Sequence, residues 1–247
     1  MKIDVHAHFF PRITREQGAV LGADGPWLRD DGDGTGQLMA GEREYRSVES
    51  LLWDPDVRGA RMDEHGVDIQ VLSATPLLFG YGADPETAGR WCRLVNDQAV
   101  EMCAVHPERL RPLCQVPLQD VDLACVEASR AVADGHVGVH IGNHLADRNL
   151  DDPDMVQFLH HCADESIPVL VHPWDMMAAD RMPGYMLQWL VSGTFQRRQE
   201  LCRRDDKELP FWTRVLAISI CERSINIVST PSNIGSGFIT IPGPPPN

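Results

Sequence analysis

Two histidines, His6 and His8, stand two residues apart in K-I-D-V-H-A-H-F-F-P, residues 2–11. β-branched Ile3 and Val5, then apolar Phe9 and Phe10 closed by Pro11, predict a buried strand. Side chains two apart on a strand point the same way, about 6.6 Å apart along it. Both imidazoles then project from one face at the strand's C-terminal end, where they can converge on one metal ion. The same spacing fits a pair of hydrogen-bonded surface histidines, because so short a motif has many chance matches. His172 favours the metal reading. It follows I-P-V-L-V (167–171), the fifth predicted core strand, and adds a third nitrogen ligand at the same end.

The composition suits a folded domain. The 247 residues are 43% hydrophobic and 23% charged, an ordinary globular balance that allows a sizeable single core. A formal net charge of −14 without a basic cluster argues against a nucleic-acid or anionic-membrane partner. No run approaches the roughly 20 apolar residues of a membrane helix. The chain starts on the predicted strand, with no basic segment followed by an apolar run, so no signal peptide is expected. Seven cysteines without a C-x-x-C pair predict reduced core thiols in a cytoplasmic protein, not a disulfide or zinc framework.

The elements that must position the histidines follow in order. Residues 13–50, rich in Gly and Asp, read as an insertion with a small hairpin from 37–40 and 45–48 and no helix. Asp54-Pro55, Asp84-Pro85 and Asp152-Pro153 each predict a helix start, with Asp as cap and Pro at the first helical position. In the first of these helices Val57 and Ala60 are expected to share a buried face, with Met62 off it. A further helix is expected at 120–133, and strands at 68–74, 110–116, 137–141 and 167–171. Strand and helix thus alternate about five times at about 30 residues per unit, the rhythm of a parallel sheet.

An eight-stranded βα barrel and an open doubly wound sheet both fit that rhythm. No Gly-rich phosphate loop follows the first strand. The candidate ligands gather at strand C-termini, where barrels place their sites. The barrel is the better reading. After residue 192 the rhythm stops. Charged runs at 196–200 and 203–208, and the ending I-P-G-P-P-P-N, predict a divergent, irregular tail over 193–247. Residues 215–220 fit one more strand or a short helix.

The collinear stretches K-I-D-V-H-A-H-F-F-P, W-D-P-D-V-R-G-A-R-M-D-E-H-G-V-D-I-Q-V-L-S-A-T-P, Q-V-P-L-Q-D, I-G-N-H-L and L-V-H-P-W-D-M-M with W-L-V carry a resemblance. Residues 1–192 resemble the amidohydrolase-superfamily decarboxylases, in the branch acting on 2-amino-3-carboxymuconate 6-semialdehyde in tryptophan or 2-nitrobenzoate breakdown. The resemblance implies a (β/α)8 TIM-type barrel, here incomplete at about five to six βα units with a hairpin insertion. It implies one Zn2+ held by His6, His8 and His172, a dicarboxylate semialdehyde substrate and a homodimer. It also implies that Arg46, in Y-R-S-V, pairs with a substrate carboxylate, for which a planar guanidinium is suited. By residue type alone, Arg46 also fits a solvated hairpin arginine.

Family members carry His-Gly-Gly-Gly after the sixth strand, whose histidine acts on the metal-bound water. They carry Thr/Ser-Asp-Tyr-Pro after the eighth, whose aspartate completes the metal site. Neither stretch occurs here. No residue is therefore assigned the base, and Asp205 and Asp206 read as solvent-facing. Three functions remain: a zinc-dependent non-oxidative decarboxylase, an inactive partial barrel that joins a full-length subunit, and a metal-dependent hydrolase. The H-P-W-D-M-M stretch favours the first. Among the other histidines, His144 either lines the site or packs in a loop. His160 and His161, adjacent on a helix, face different sides. His65, His106 and His136 sit near helix ends, where the dipole favours cations.

Overall fold

The computed structural model describes residues 1–175, 215–216 and 238–240. Expectations for 176–214, 217–237 and 241–247, including Asp205, Asp206 and the proline-rich end, lie outside these residues.

Strand β1 (Lys2–Phe9) leads into a short helix α1 (Arg15–Gly18) and an antiparallel sheet of β2 (Pro26–Asp30), β3 (Thr35–Ala40) and β4 (Arg43–Glu49). The sheet uses segments 37–40 and 45–48 and adds β2. Helix α1 corrects the expectation of a helix-free insertion. Thr14 and Gln17 cap it reciprocally, each side chain accepting from the other's backbone N–H. That local signal was hidden in a stretch of helix-breaking composition.

Next come α2 (Pro55–His65), β5 (Ile69–Ala74), α3 (Pro85–Cys103), β6 (Leu110–Pro112), α4 (Val121–Ala133) and β7 (Val139–Gly142). A small ladder of β8 (His144–Leu145) and β9 (Arg148–Asn149) precedes α5 (Pro153–Asp164) and β10 (Val169–His172). Two further strands are β11 (Val215–Leu216) and β12 (Phe238–Thr240).

Aspartates start the four long helices. Asp54, Asp84, Asp120 and Asp152 each accept from a backbone N–H of the first turn. Each such cap contributes about 1 kcal/mol. Gly66 ends α2 in the left-handed region, at φ 60°, where a side chain would be strained. The buried face of α2 is Arg58, Gly59 and Met62, not Val57 and Ala60. A buried arginine reversed the pattern, because its partners come from β1 and β5 and not from its own helix.

The core strands pair in chain order and in parallel. β1 pairs with β5, β5 with β6, and β7 with β10. A Cys114–Val139 bridge joins the β6 side to β7. β6 is shorter than the expected 110–116, since Pro112 offers no N–H to the ladder. A doubly wound sheet reverses its strand order. This arc does not, and it has the order of a barrel wall. β11 extends it in parallel beside β10, while β12 pairs antiparallel with Lys2–Asp4.

Two apolar clusters hold the arc. One packs Phe9, Phe10, Met62, Leu72 and Trp91 under β1 and β5. The other packs Ala128, Val139, Ile141, Phe158 and Val169 under β7 and β10. Each large buried side chain contributes about 1.5–3 kcal/mol. Cys92, Cys103, Cys114 and Cys162 are free and buried, and burial pushes the Cys103 and Cys162 thiols up to about 12. Among the described residues no helix is long and apolar enough to cross a membrane.

Candidate metal centre

β1 does not run straight. Asp4 faces Gln70 of β5, and Ala7 faces Leu72, so β1 takes one more residue than its neighbour. Such a bulge re-aims side chains. Here it lies at His6, whose N–H donates to Asp4 Oδ1 at 3.1 Å. Asp4 Oδ2 accepts from Gln70 Nε2 at 2.9 Å, and Gln70 Oε1 accepts from Arg58 Nη1 at 3.0 Å. Arg58 Nη2 then donates to the His8 carbonyl at 2.7 Å. One relay thus holds the backbone of both histidines. Burial pushes the Asp4 carboxyl up, against the opposing hydrogen bonds and the Arg58 charge. Burial also lowers Arg58 to about 10, which leaves it a cation at neutral pH.

The imidazoles of His6, His8 and His172 meet edge to face at the strand ends. Their Nε2 atoms form a triangle with sides of 3.2, 3.2 and 3.1 Å. A neutral imidazole nitrogen either carries a proton and donates, or carries a lone pair and accepts. Three such atoms in mutual contact always leave at least one like pair. Hydrogen bonds alone cannot satisfy the triangle, whereas a cation shared by three lone pairs can. The dimensions agree: a tetrahedral zinc site with bonds of 2.0–2.1 Å spaces its ligands about 3.3 Å apart.

The distal nitrogens agree as well. His172 Nδ1 lies 2.7 Å from the Pro173 carbonyl, which can only accept, so the proton sits on Nδ1 and Nε2 is free to ligate. His8 Nδ1 lies 3.1 Å from the Ser73 hydroxyl. Burial, then the charges of His172 and His6, pull the His8 pKa well down and keep its ring neutral. These residues therefore fit a divalent ion. Among the described residues they are the one group of this kind with ligand atoms all within 4.8 Å.

Local backbone contacts fix His172. It pairs with Gly142, where an added Cβ would meet Tyr81 Cε2 at 3.0 Å and Trp174 Cβ at 3.1 Å. Asn143 donates its N–H to the His172 carbonyl and accepts from the Trp174 N–H at 2.7 Å. Arg46 lies on β4, exposed and without a carboxylate partner among the described residues. It lines a cavity of about 500 Å³ together with His6, His8, Leu52 and Met62; His172 is outside that lining.

The amidohydrolase family model matches residues 3–200. The chain belongs to that family. The 2-amino-3-carboxymuconate-6-semialdehyde decarboxylase of Dictyostelium discoideum is 34% identical over 194 residues, 77% of this chain and 54% of that protein. This amidohydrolase chain thus spans about half the length of that curated relative. Two solved structures share the fold. Metarhizium anisopliae IDCase in apo form has a TM-score of 0.66 at 20% identity, over 81% of this chain and 59% of that one. The dihydroxybenzoic acid decarboxylase of Polaromonas sp. JS666, with bound manganese and the inhibitor 2-nitroresorcinol, has 0.58 at 24% identity, over 79% and 58%.

The amidohydrolase site also holds a residue that sequence reasoning passed over. His140, on β7, is 1% exposed, with its ring 5.3 Å from that of His172 and 5.9 Å from that of His8. The only sequence signal was a histidine amid the apolar residues of V-H-I-G. Beside it, Phe79 stacks on Tyr81 at 4.9 Å and meets Trp174 edge-on at 5.5 Å. His144, on β8, packs with Nδ1 3.0 Å from the Ala146 carbonyl and Nε2 2.9 Å from that of Trp174. His136 is buried, with Nδ1 2.9 Å from the Ala131 carbonyl, and His106 pairs with Asp56.

Proposed function

We propose that this amidohydrolase is a zinc-dependent, non-oxidative decarboxylase of 2-amino-3-carboxymuconate 6-semialdehyde, in tryptophan/kynurenine or 2-nitrobenzoate breakdown. The Nε2 triangle of His6, His8 and His172 carries the reading, because a shared cation satisfies it and the mutual hydrogen bonds do not. The activity named for the Dictyostelium relative supports the reaction type. The Polaromonas decarboxylase structure holds manganese. An all-imidazole set of three suits zinc equally well.

When bound, the ion supplies positive charge where electrons collect as carbon dioxide leaves. The chain's own residues do the positioning. Arg46 takes a substrate carboxylate through two parallel hydrogen bonds and orients it, which is its role in this reading. Tyr81 and Trp174, both half-buried, offer flat surfaces to a planar conjugated acid, with buried Phe79 packed against them. Free thiols support a reducing, cytosolic setting. The working unit in this reading is a homodimer.

A second reading, an inactive portion that joins a full-length subunit, rests on the chain matching 54% of the Dictyostelium protein. Purified chain plus zinc, mixed with the semialdehyde, separates the two. Zinc-dependent decay of the substrate chromophore is the expected result. Zinc retained without decay supports the second reading, and absence of zinc binding overturns the first.

A further inference from the structure

Both ring nitrogens of His140 are buried without a hydrogen-bond partner among the described residues. A buried polar group left unpaired costs about 1–3 kcal/mol, and native structures hold few of them. Replacing it with an apolar side chain would be neutral or stabilising. A histidine at such a position is open to a partner that arrives with a ligand.

The surroundings narrow what that partner is. His140 pairs in register with Leu170, and His172 with Gly142, so His140 and His172 share a face of the sheet one step apart. Phe79 covers another side of the ring, at 5.0 Å between centroids. A buried water needs two to four polar partners. The nearest rings, His8 and His172, already spend their Nδ1 atoms on Ser73 and Pro173 and point Nε2 into the triangle. His140 is not a fourth ligand, because the group with ligand atoms within 4.8 Å of one another excludes it. With no partner among the described residues, an oxygen atom of a molecule held at the triangle is the candidate.

We propose that His140 is a substrate-contacting residue of the three-histidine centre, donating a hydrogen bond to an oxygen of a conjugated carboxylic acid bound there. The proposal rests on the reading of that centre as a metal site for such an acid. A neutral imidazole offers one N–H and one lone pair, which suits a carboxylate or carbonyl oxygen on its donor side. The half-buried rings of Tyr81 and Trp174, packed on buried Phe79, suit a flat molecule. His140 then fixes how that molecule lies.

The test compares the full-length chain with His140→Gln and His140→Leu. Zinc affinity is titrated first, and then cis,cis-muconate, a stable conjugated diacid, is titrated calorimetrically into each zinc-loaded protein. Zinc affinity should stay within about threefold in both variants. Muconate affinity should fall about tenfold or more in His140→Leu, and His140→Gln, which keeps a donor and an acceptor, should recover most of it. Thermal stability without ligand should hold or rise in His140→Leu. Unchanged muconate affinity in His140→Leu overturns the proposal, as does loss of zinc or of the fold in both variants. Wild-type chain that takes zinc but not muconate overturns it too, while leaving the metal site standing. Wild-type chain that takes no zinc overturns the reading of the centre itself.

Discussion

Asp4 Oδ1 accepts the backbone N–H of His6 at 3.1 Å, within the bulge where β1 outruns β5 by one residue. A carboxylate thus sets the direction of a candidate ligand two residues away through the main chain. Asp4→Ala should weaken zinc binding about 10–100-fold, the usual cost of losing support behind a ligand. It also removes the carboxylate that faces Arg58 through Gln70, which should lower stability. Zinc titration and urea unfolding read the two effects. Unchanged zinc affinity would show that the bulge holds without its carboxylate.

Arg46 shares a cavity with His6 and His8 and is unpaired among the described residues. Lysine keeps the charge but loses the fork that grips a carboxylate with two bonds. Arg46→Lys should raise KM for the diacid about tenfold, with kcat and zinc content little changed. A solvated hairpin arginine would leave KM where it was.

The strand-and-helix rhythm was legible because its signals are local. Asp-Pro pairs at 54, 84 and 152 announce helix starts through a side chain and a ring that act within one turn. The placing of His8 and His172 at strand ends was legible from apolar runs, but the convergence of His6 with them also depends on the bulge between Asp4 and Ala7, which the two-residue repeat does not predict. Arg58 was illegible for the opposite reason. Its burial on α2 depends on Asp4 and Gln70, which no window around it contains. His140 escaped because a lone polar residue in a strand looks the same whether it faces solvent or the interior. Strand order decides that, and strand order is a long-range fact.

His136 makes stability sensitive to acid. Burial lowers its pKa below the ordinary 6.5, so the unfolded chain takes up a proton near that pH while the folded chain does not. Proton uptake by the unfolded state alone means that stability falls as the pH drops through about 6.5. His136→Gln keeps a donor for the Ala131 carbonyl but cannot ionise. The loss of melting temperature between pH 7.5 and 5.5 should be smaller in that variant than in the wild type. Parallel pH curves for the two proteins would exclude His136 as a source.

Asp84 caps the longest described helix by accepting the Thr87 N–H at 3.0 Å. Asp84→Ala should cost about 1 kcal/mol, and Asp84→Ser should restore most of it. A shifted urea midpoint with an unchanged slope is the expected signature. Equal midpoints for Ala and Ser would show that the cap contributes nothing.

His6 and His172 are 166 residues apart in the chain, yet their ring nitrogens touch. An ion gripping both would work as a clasp across the whole arc, since no shorter piece of chain contains both jaws. Ions that bind only the folded form stabilise everything the fold requires. Chelation should therefore quicken amide hydrogen exchange in α3 and α4, which contain none of the three histidines but lie between them in the chain.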